Sequence, residues 1–300
     1  MISPSALRFF RYRPAAWLQV QGDDAGPFLQ GQFTQDLAGL PLGRAAYGLW
    51  LSQKGRIMAD SFILAGPGAG EFQIGSYYCP GPAIAARLEG YIVADDVTVA
   101  DESEDWEGVA VLGEGARAWI EAAGIPGAAA FPGRRCAGEN WECLWPPAGA
   151  AIAAERLAAR TEVTVEEMER ERIAAGIPAV PRDAGPGDLP PEAGLLAAAI
   201  SYTKGCYLGQ EVIARLKSRG RTRRQLRRVA GSGAIPSLPA ILGWDGKKIG
   251  ELRSAVQDDG RDSFVGLAMV AADLPPDAAL GISPAAADPA FSAPRVRFCV

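Results

Sequence analysis

The run Lys204-Gly205-Cys206-Tyr207-Leu208-Gly209-Gln210-Glu211, followed by Arg215, sets a thiol between two glycines and beside a cation. Glycine permits φ > 0 and lets a ligand or another backbone come close, so Gly205 and Gly209 mark places where a side chain would obstruct. A helix opening at Gln210 puts Cys206 one turn ahead of its N-terminus, where free N–H groups and the dipole favour an anion. Lys204 adds positive charge there. Both effects stabilise a thiolate, the nucleophilic and metal-binding form of cysteine. Local chemistry supports equally a tight turn around a small, buried and inert Cys.

The chain of 300 residues has no histidine. Its absence excludes Ser-His-Asp and Cys-His catalysis within the chain, His-ligated zinc and two-His iron sites. Proton transfer then falls to a carboxylate, Lys, Tyr, Cys, the substrate or a cofactor. Cys79, Cys136, Cys143, Cys206 and Cys299 form an odd set with no C-x-x-C pair, so free thiols are expected rather than a disulfide framework or zinc ribbon. With 48% hydrophobic and 22% charged residues the composition is globular. No stretch approaches the roughly 18 apolar residues of a spanning helix, and residues 1–13 lack a signal-peptide core. A cytoplasmic protein without membrane association is expected.

Charge is unevenly placed. Arg215, Lys217, Arg219, Arg221, Arg223, Arg224, Arg227 and Arg228 lie together with no acid among them, although the formal net charge is −5. This 215–228 stripe suits a polyanion such as a folate glutamate tail, a phosphate backbone or an acidic partner. A solvated face paired with the acidic remainder is the alternative.

The elements that must position these groups can be read from pattern. Residues 16–20 read as a strand, and Gly22-Asp23-Asp24 caps a short helix through Phe28 and Leu29 that Gly31 breaks. Residues 45–51 and 57–64 bracket Ser52-Gln53-Lys54-Gly55-Arg56 as a β-hairpin. Strands over 72–77, 97–100 and 106–112 and helices over 83–88 and 116–123 extend a mixed α+β unit; 126–133 and 146–149 read as loops. Thr164-Val165-Glu166-Glu167 is a capping box, and Gly176 and Pro178 end its helix. A loop over 180–194 leads into the Cys206 run, after which Val212, Ile213 and Leu216 keep helical spacing up to Gly220. Short strands over 226–230, 248–252, 264–270 and 295–299, with a turn at Asp245-Gly246, indicate a small β-barrel or sandwich.

Lys204 to Arg215 matches K-G-C-[YF]-x-G-Q-E-x-x-x-R at every specified position, the signature of the YgfZ-type folate-binding proteins, relatives of the glycine-cleavage T-protein that include a mitochondrial iron–sulfur assembly factor. Phe28 to Asp36 resembles that family's F-L-Q-G-Q-x-T-x-D stretch. Lys54-Gly55-Arg56 is similar to its hairpin K-G-[KR], Arg172 to Pro178 to R-[IL]-x-A-G-[IF]-P, and Leu189 to Leu195 to L-P-x-E-x-x-L.

The resemblance implies an α+β, T-protein-like fold of three lobes around a central tetrahydrofolate channel faced by the Cys206 loop. Two α+β lobes, about 1–100 and 101–225, make a folate-binding region of 1–225, and 226–300 form the barrel. It implies an accessory role in iron–sulfur cluster assembly or repair, with iron–sulfur proteins or assembly factors as partners and an effect on tRNA methylthiolation. Cys206 and Lys204 are the reactive candidates. For the pterin, Tyr202, Tyr207 and Met168 are candidate slot walls and Glu192 or Gln210 candidate partners of ring N–H groups, with Gly209, Glu211 and Arg215 completing the site. Packing is the alternative for Met168 and Tyr202, helix initiation for Glu211, and an i,i+4 pair with Glu211 for Arg215. Where T-protein has an acid in its R-L-E-A-G helix end, this chain has Ala174. T-protein lacks the cysteine signature, so aminomethyl transfer is not expected. Two further readings are a folate-dependent one-carbon transferase using Asp95, Asp96 or Glu192, and an RNA-binding module on the basic stripe.

Overall fold

Runs of β-branched and aromatic residues separated by glycine turns build three antiparallel sheets, each covered on one face by short helices. The structure, a computed structural model, describes residues 7–258, 262–283 and 295–299. In chain order come β1 (Arg8–Tyr12), β2 (Ala16–Gln21), α1 (Ala25–Gln32), β3 (Ala45–Leu51), β4 (Ile57–Ala65), β5 (Glu71–Ser76), α2 (Gly81–Glu89) and β6 (Thr98–Asp101). Then follow β7 (Glu107–Leu112), α3 (Ala116–Ala123), β8 (Ala129–Pro132), β9 (Asn140–Trp145), α4 (Ala150–Leu157), α5 (Val165–Ala174), α6 (Leu196–Ala199) and α7 (Gln210–Arg219). The last third holds β10 (Arg224–Ser232), β11 (Ala240–Trp244), β12 (Lys247–Gln257), β13 (Ser263–Ala271), β14 (Gly281–Ser283) and β15 (Val296–Phe298).

The first sheet has the order β3-β4-β5-β2-β6, the second β1-β7-β9-β8, and the third β14-β11-β12-β13-β10-β15. A bridge between Leu280 and Val296 joins the two ends of the third sheet and closes it into the expected barrel. β1 belongs to the second sheet, so the start of the chain is stitched to the strands after residue 106.

Alternation along β4 gives the first sheet two distinct faces. Ile57 and Ile63 pack with Leu29, Phe33, Leu51, Tyr207 and Ile213 beneath the helices. Phe62 and Leu64 point the other way, into a cluster with Trp17, Trp106 and the second sheet's Phe131 and Leu144. The barrel is fastened to the rest by buried charge. Asp183, 0% exposed, accepts from Arg172 at 2.7 Å, the Ala179 N–H at 2.9 Å and the Ser254 hydroxyl of β12.

Several sequence readings need correction. Gly31 does not break α1, which runs through it to Gln32. Residues 126–133 contain β8, the edge strand paired with β9. β1, β9 and the alanine-rich α4 are further elements that the sequence reading did not assign. The capping box at Thr164 forms as read, the Glu167 N–H donating to the Thr164 hydroxyl at 3.1 Å and the Thr164 N–H to the Glu167 carboxylate at 2.7 Å.

Candidate functional site

Cys206 stands at the exposed apex of a loop whose two flanks are tied down. On one side the Lys204 ammonium donates to the carbonyls of Gln30 and Phe33 at 2.7 Å each and of Gln35 at 2.8 Å. The Ser201 N–H reaches Thr34 O at 3.0 Å, and the buried Thr34 hydroxyl donates to Ala199 O at 2.6 Å. On the other side the Leu208 N–H reaches Gly31 O at 3.0 Å. The stretches 28–36 and 204–215, which resemble two separate motifs of one family, are thus physically one unit.

Gly209 shows why a glycine is needed there. It sits at φ +84°, and a Cβ would lie 2.7 Å from Ser52 O on the tip of the β3–β4 hairpin. The hairpin's Gly55, at φ +67°, meets Val212 of α7 in the same way, 2.9 Å from where its own Cβ would be. The close approach foreseen for Gly209 is therefore made by the hairpin backbone. Gly205 differs from expectation: nothing lies within 4 Å of its would-be Cβ, and its φ is not positive.

Gln210 opens α7 and closes the loop, its Oε1 accepting from the Tyr207 N–H at 3.2 Å. Tyr207 is buried, and burial pushes its phenol up to about 12. Tyr202 is 43% exposed and lies under Lys217, whose Nζ is 3.6 Å from the ring centre. Lys204 does not direct its charge at the thiol as read from sequence; its N–H groups converge on carbonyls at and just beyond the end of α1, and burial lowers its pKa to about 8. Glu211 and Arg215 are both exposed and form no ion pair with each other.

Two of the candidates lie elsewhere. Met168 is packed in the second lobe with Ala110, Leu112 and Val163. Glu192, 5% exposed, is held by Arg224 at 2.9 Å and by the Leu189 N–H at 2.9 Å. The basic stripe is divided: Arg224 pairs with Asp188 and Glu192, Arg228 donates to Ala174 O at 2.6 Å, and Arg227 stacks on Phe298 at 3.5 Å. Arg215, Lys217, Arg221 and Arg223 stay exposed, while the Arg219 side chain lies outside the described residues. Asp96 links two loops, accepting from the Asp23 N–H at 3.3 Å and donating its own N–H to Asp24 at 2.8 Å.

The opposite face of the first sheet carries a polar seam that sequence reading missed. Asp60, 6% exposed, accepts from the Tyr47 hydroxyl at 2.9 Å, the Ser76 hydroxyl at 3.3 Å and the Cys79 thiol at 3.6 Å. Burial pushes its carboxyl up to about 6, although those three donors pull it down. Glu142 of β9, 0% exposed, accepts from Tyr12 at 2.5 Å, Tyr77 at 2.7 Å and Arg135 at 3.0 Å. Arg135 is sandwiched 4.0 Å from the rings of Tyr12 and Tyr77, and Arg134 lies 4.1 Å over Tyr47. Burial opposes the Arg135 charge, but the Glu142 carboxylate raises its pKa overall.

Two donors in the seam, Arg134 Nε and Arg135 Nη2, are buried without an acceptor, and a buried unpaired donor costs about 1–3 kcal/mol. Tyr47, Tyr77, Tyr78 and Arg134 are half-buried, so the seam reaches solvent. One signal was available: a carboxylate inside the apolar run of β4. The other members come from five separate segments. Of the remaining thiols, Cys79 and Cys143 are pushed up to about 12 by burial. Among the described residues no group of three or more His, Cys, Asp or Glu could hold a metal ion, and no helix is long and apolar enough to cross a membrane.

The GCVT N-terminal domain family matches residues 12–132. The mitochondrial iron–sulfur cluster assembly factor IBA57 of Homo sapiens is 30% identical over 268 residues, 82% of this chain and 74% of that protein. The tRNA-modifying protein YgfZ of Klebsiella pneumoniae is 27% identical over 262 residues, 81% of this chain and 79% of that one. Among solved structures, the glycine cleavage system aminomethyltransferase T of Bartonella henselae superposes with a TM-score of 0.76 at 20% identity, over 93% of this chain and 82% of that one. That likeness shows the T-protein-like fold.

Proposed function

The chain belongs to the YgfZ and IBA57 family of T-protein-like proteins, and from that premise we propose that it is a tetrahydrofolate-binding accessory factor for iron–sulfur cluster assembly or repair, with Cys206 as its functional thiol. Through iron–sulfur enzymes it supports tRNA methylthiolation. The observation that carries this reading is the placement of Cys206, exposed at the apex of a loop anchored on both flanks. One thiolate does not hold a cluster alone. With no multi-ligand group among the described residues, a client protein or assembly partner brings the remaining ligands. The cluster is cargo, and Cys206 is a transient ligand to it or a partner for the client's sulfur.

Tetrahydrofolate fits the seam rather than the Cys206 loop. A pterin is flat and rich in hydrogen-bonding atoms, and suits an apolar slot with a few polar groups. Half-buried Tyr78 would supply a ring face, those of Tyr47 and Tyr77 being covered by Arg134 and Arg135, and the unpartnered N–H groups of the two arginines would supply donors for its ring acceptors. When bound, the cofactor carries a one-carbon unit. Tyr207, Gln210, Glu192 and Met168 already have protein partners, which moves the ligand away from them. Of the acids considered for one-carbon transfer, Asp95, Asp96 and Glu192, the last two are held in structural bonds by their carboxylates.

The test is complementation of an iron–sulfur enzyme defect by Cys206→Ala. It is expected to fail while the variant keeps the wild-type melting temperature; full activity of the variant would sink the proposal.

A further inference from the structure

We infer that Lys204 is a positioning residue: its ammonium locks the Cys206 loop onto the end of α1 and so fixes where the thiol is presented, without acting as the charge that ionises it. This rests on the reading of Cys206 as the functional thiol. An ammonium has three N–H donors and no acceptor. All three of its hydrogen bonds are accounted for by the carbonyls of Gln30, Phe33 and Gln35. These carbonyls lie at and just beyond the C-terminal end of α1, the negative end of the helix dipole, which is where a cation is favoured. The Lys204 charge is therefore neutralised locally by backbone dipoles.

The same stretch of α1 receives the other end of the loop. Leu208 donates to Gly31 O at 3.0 Å, so residues 204 and 208 straddle Cys206 and are pinned within four residues of each other on the partner segment. Ser201, bonded to Thr34, adds a third point. A loop fixed on both sides of one exposed residue presents that residue in a single place. That arrangement suits a thiol that must meet groups carried by another macromolecule, because ordering on contact then costs less binding free energy.

Two mechanisms for the lysine give different results in Lys204→Met and Lys204→Arg. Amide hydrogen exchange of Ser201 and Leu208 reports the lock, and the pH–rate profile of iodoacetamide alkylation at Cys206, followed by mass spectrometry of its peptide, reports thiol ionisation. Both variants are expected to raise exchange at these two amides by about tenfold, since the planar guanidinium does not direct three donors from one nitrogen. The alkylation midpoint is expected to stay in place. A midpoint that rises in Lys204→Met and returns in Lys204→Arg overturns the inference, and so does exchange that stays at the wild-type rate.

Thr34→Val offers a route that changes no charge. It removes the hydroxyl that donates to Ala199 O and accepts from the Leu49 N–H at 2.7 Å. Faster exchange at Ser201 with an unmoved midpoint is expected there as well, and keeps the test open should the lysine variants fail to fold. Failure of the Cys206 reading itself would appear separately, as full complementation by Cys206→Ala, and would leave the exchange results as they are.

Discussion

On the helix-covered side of the first sheet Cys206 is exposed, while Lys204 and Leu208 are bonded to α1 and the residues just after it, Tyr207 is bonded to Gln210, and Gly209 packs closely on the hairpin tip. On the opposite side, Asp60, Glu142 and Arg135 are buried, their mutual bonds nearly complete, and two guanidinium N–H groups have no acceptor. The first arrangement offers an outward thiol on an anchored loop. The second offers an aromatic face and spare donors but no nucleophile, since the Cys79 thiol beside it is pushed up to about 12 by burial. Under the proposed function, macromolecular contact falls to the first face and ligand binding to the second, which would make the two separable by mutation.

The largest expected effect lies in the seam. Glu142→Gln leaves the Arg135 charge buried without its counter-ion, which should cost about 3–5 kcal/mol in urea unfolding. Cys206 alkylation under native conditions should not change. A loss below about 1 kcal/mol, the range of an exposed pair, would mean that the seam is more open to water than its burial indicates.

A pH series sharpens the same contrast. The folded-state pKa of Asp60, about 6, lies above the ordinary carboxyl value of 3.8, so the protonated form favours the fold. That contribution is complete below the ordinary value and is lost as pH rises through about 6. Two units correspond to something on the order of 3 kcal/mol. Asp60→Asn should therefore gain stability relative to wild type between pH 4 and pH 7; parallel curves would contradict the burial argument.

The difference between the faces also explains what could be read in advance. The hairpin, α3, the capping box of α5 and α7 announce themselves through local alternation, helical spacing and glycine or proline stops, all contained in adjacent residues. The Cys206 run is likewise local. Lys204 was nonetheless read as an activating charge, because its acceptors are backbone carbonyls and leave no mark in side-chain sequence. Apart from Asp60, a carboxylate inside the apolar run of β4, the seam draws on Tyr12, Tyr47, Tyr77, Arg134, Arg135 and Glu142, each meaningful only once two sheets are packed. β9, which carries Glu142, lies between Gly138 and Pro146-Pro147, but a lone acid in a six-residue strand reads locally as a solvent-facing position.

Tetrahydrofolate binding, measured by native mass spectrometry on wild type, Cys206→Ala and Arg134→Met, tests the division of labour most directly. Wild type and Cys206→Ala should bind alike, and Arg134→Met should bind at least about tenfold more weakly, a loss of roughly 1.4 kcal/mol. Loss of binding in Cys206→Ala with retention in Arg134→Met would place the ligand at the thiol loop and contradict the account.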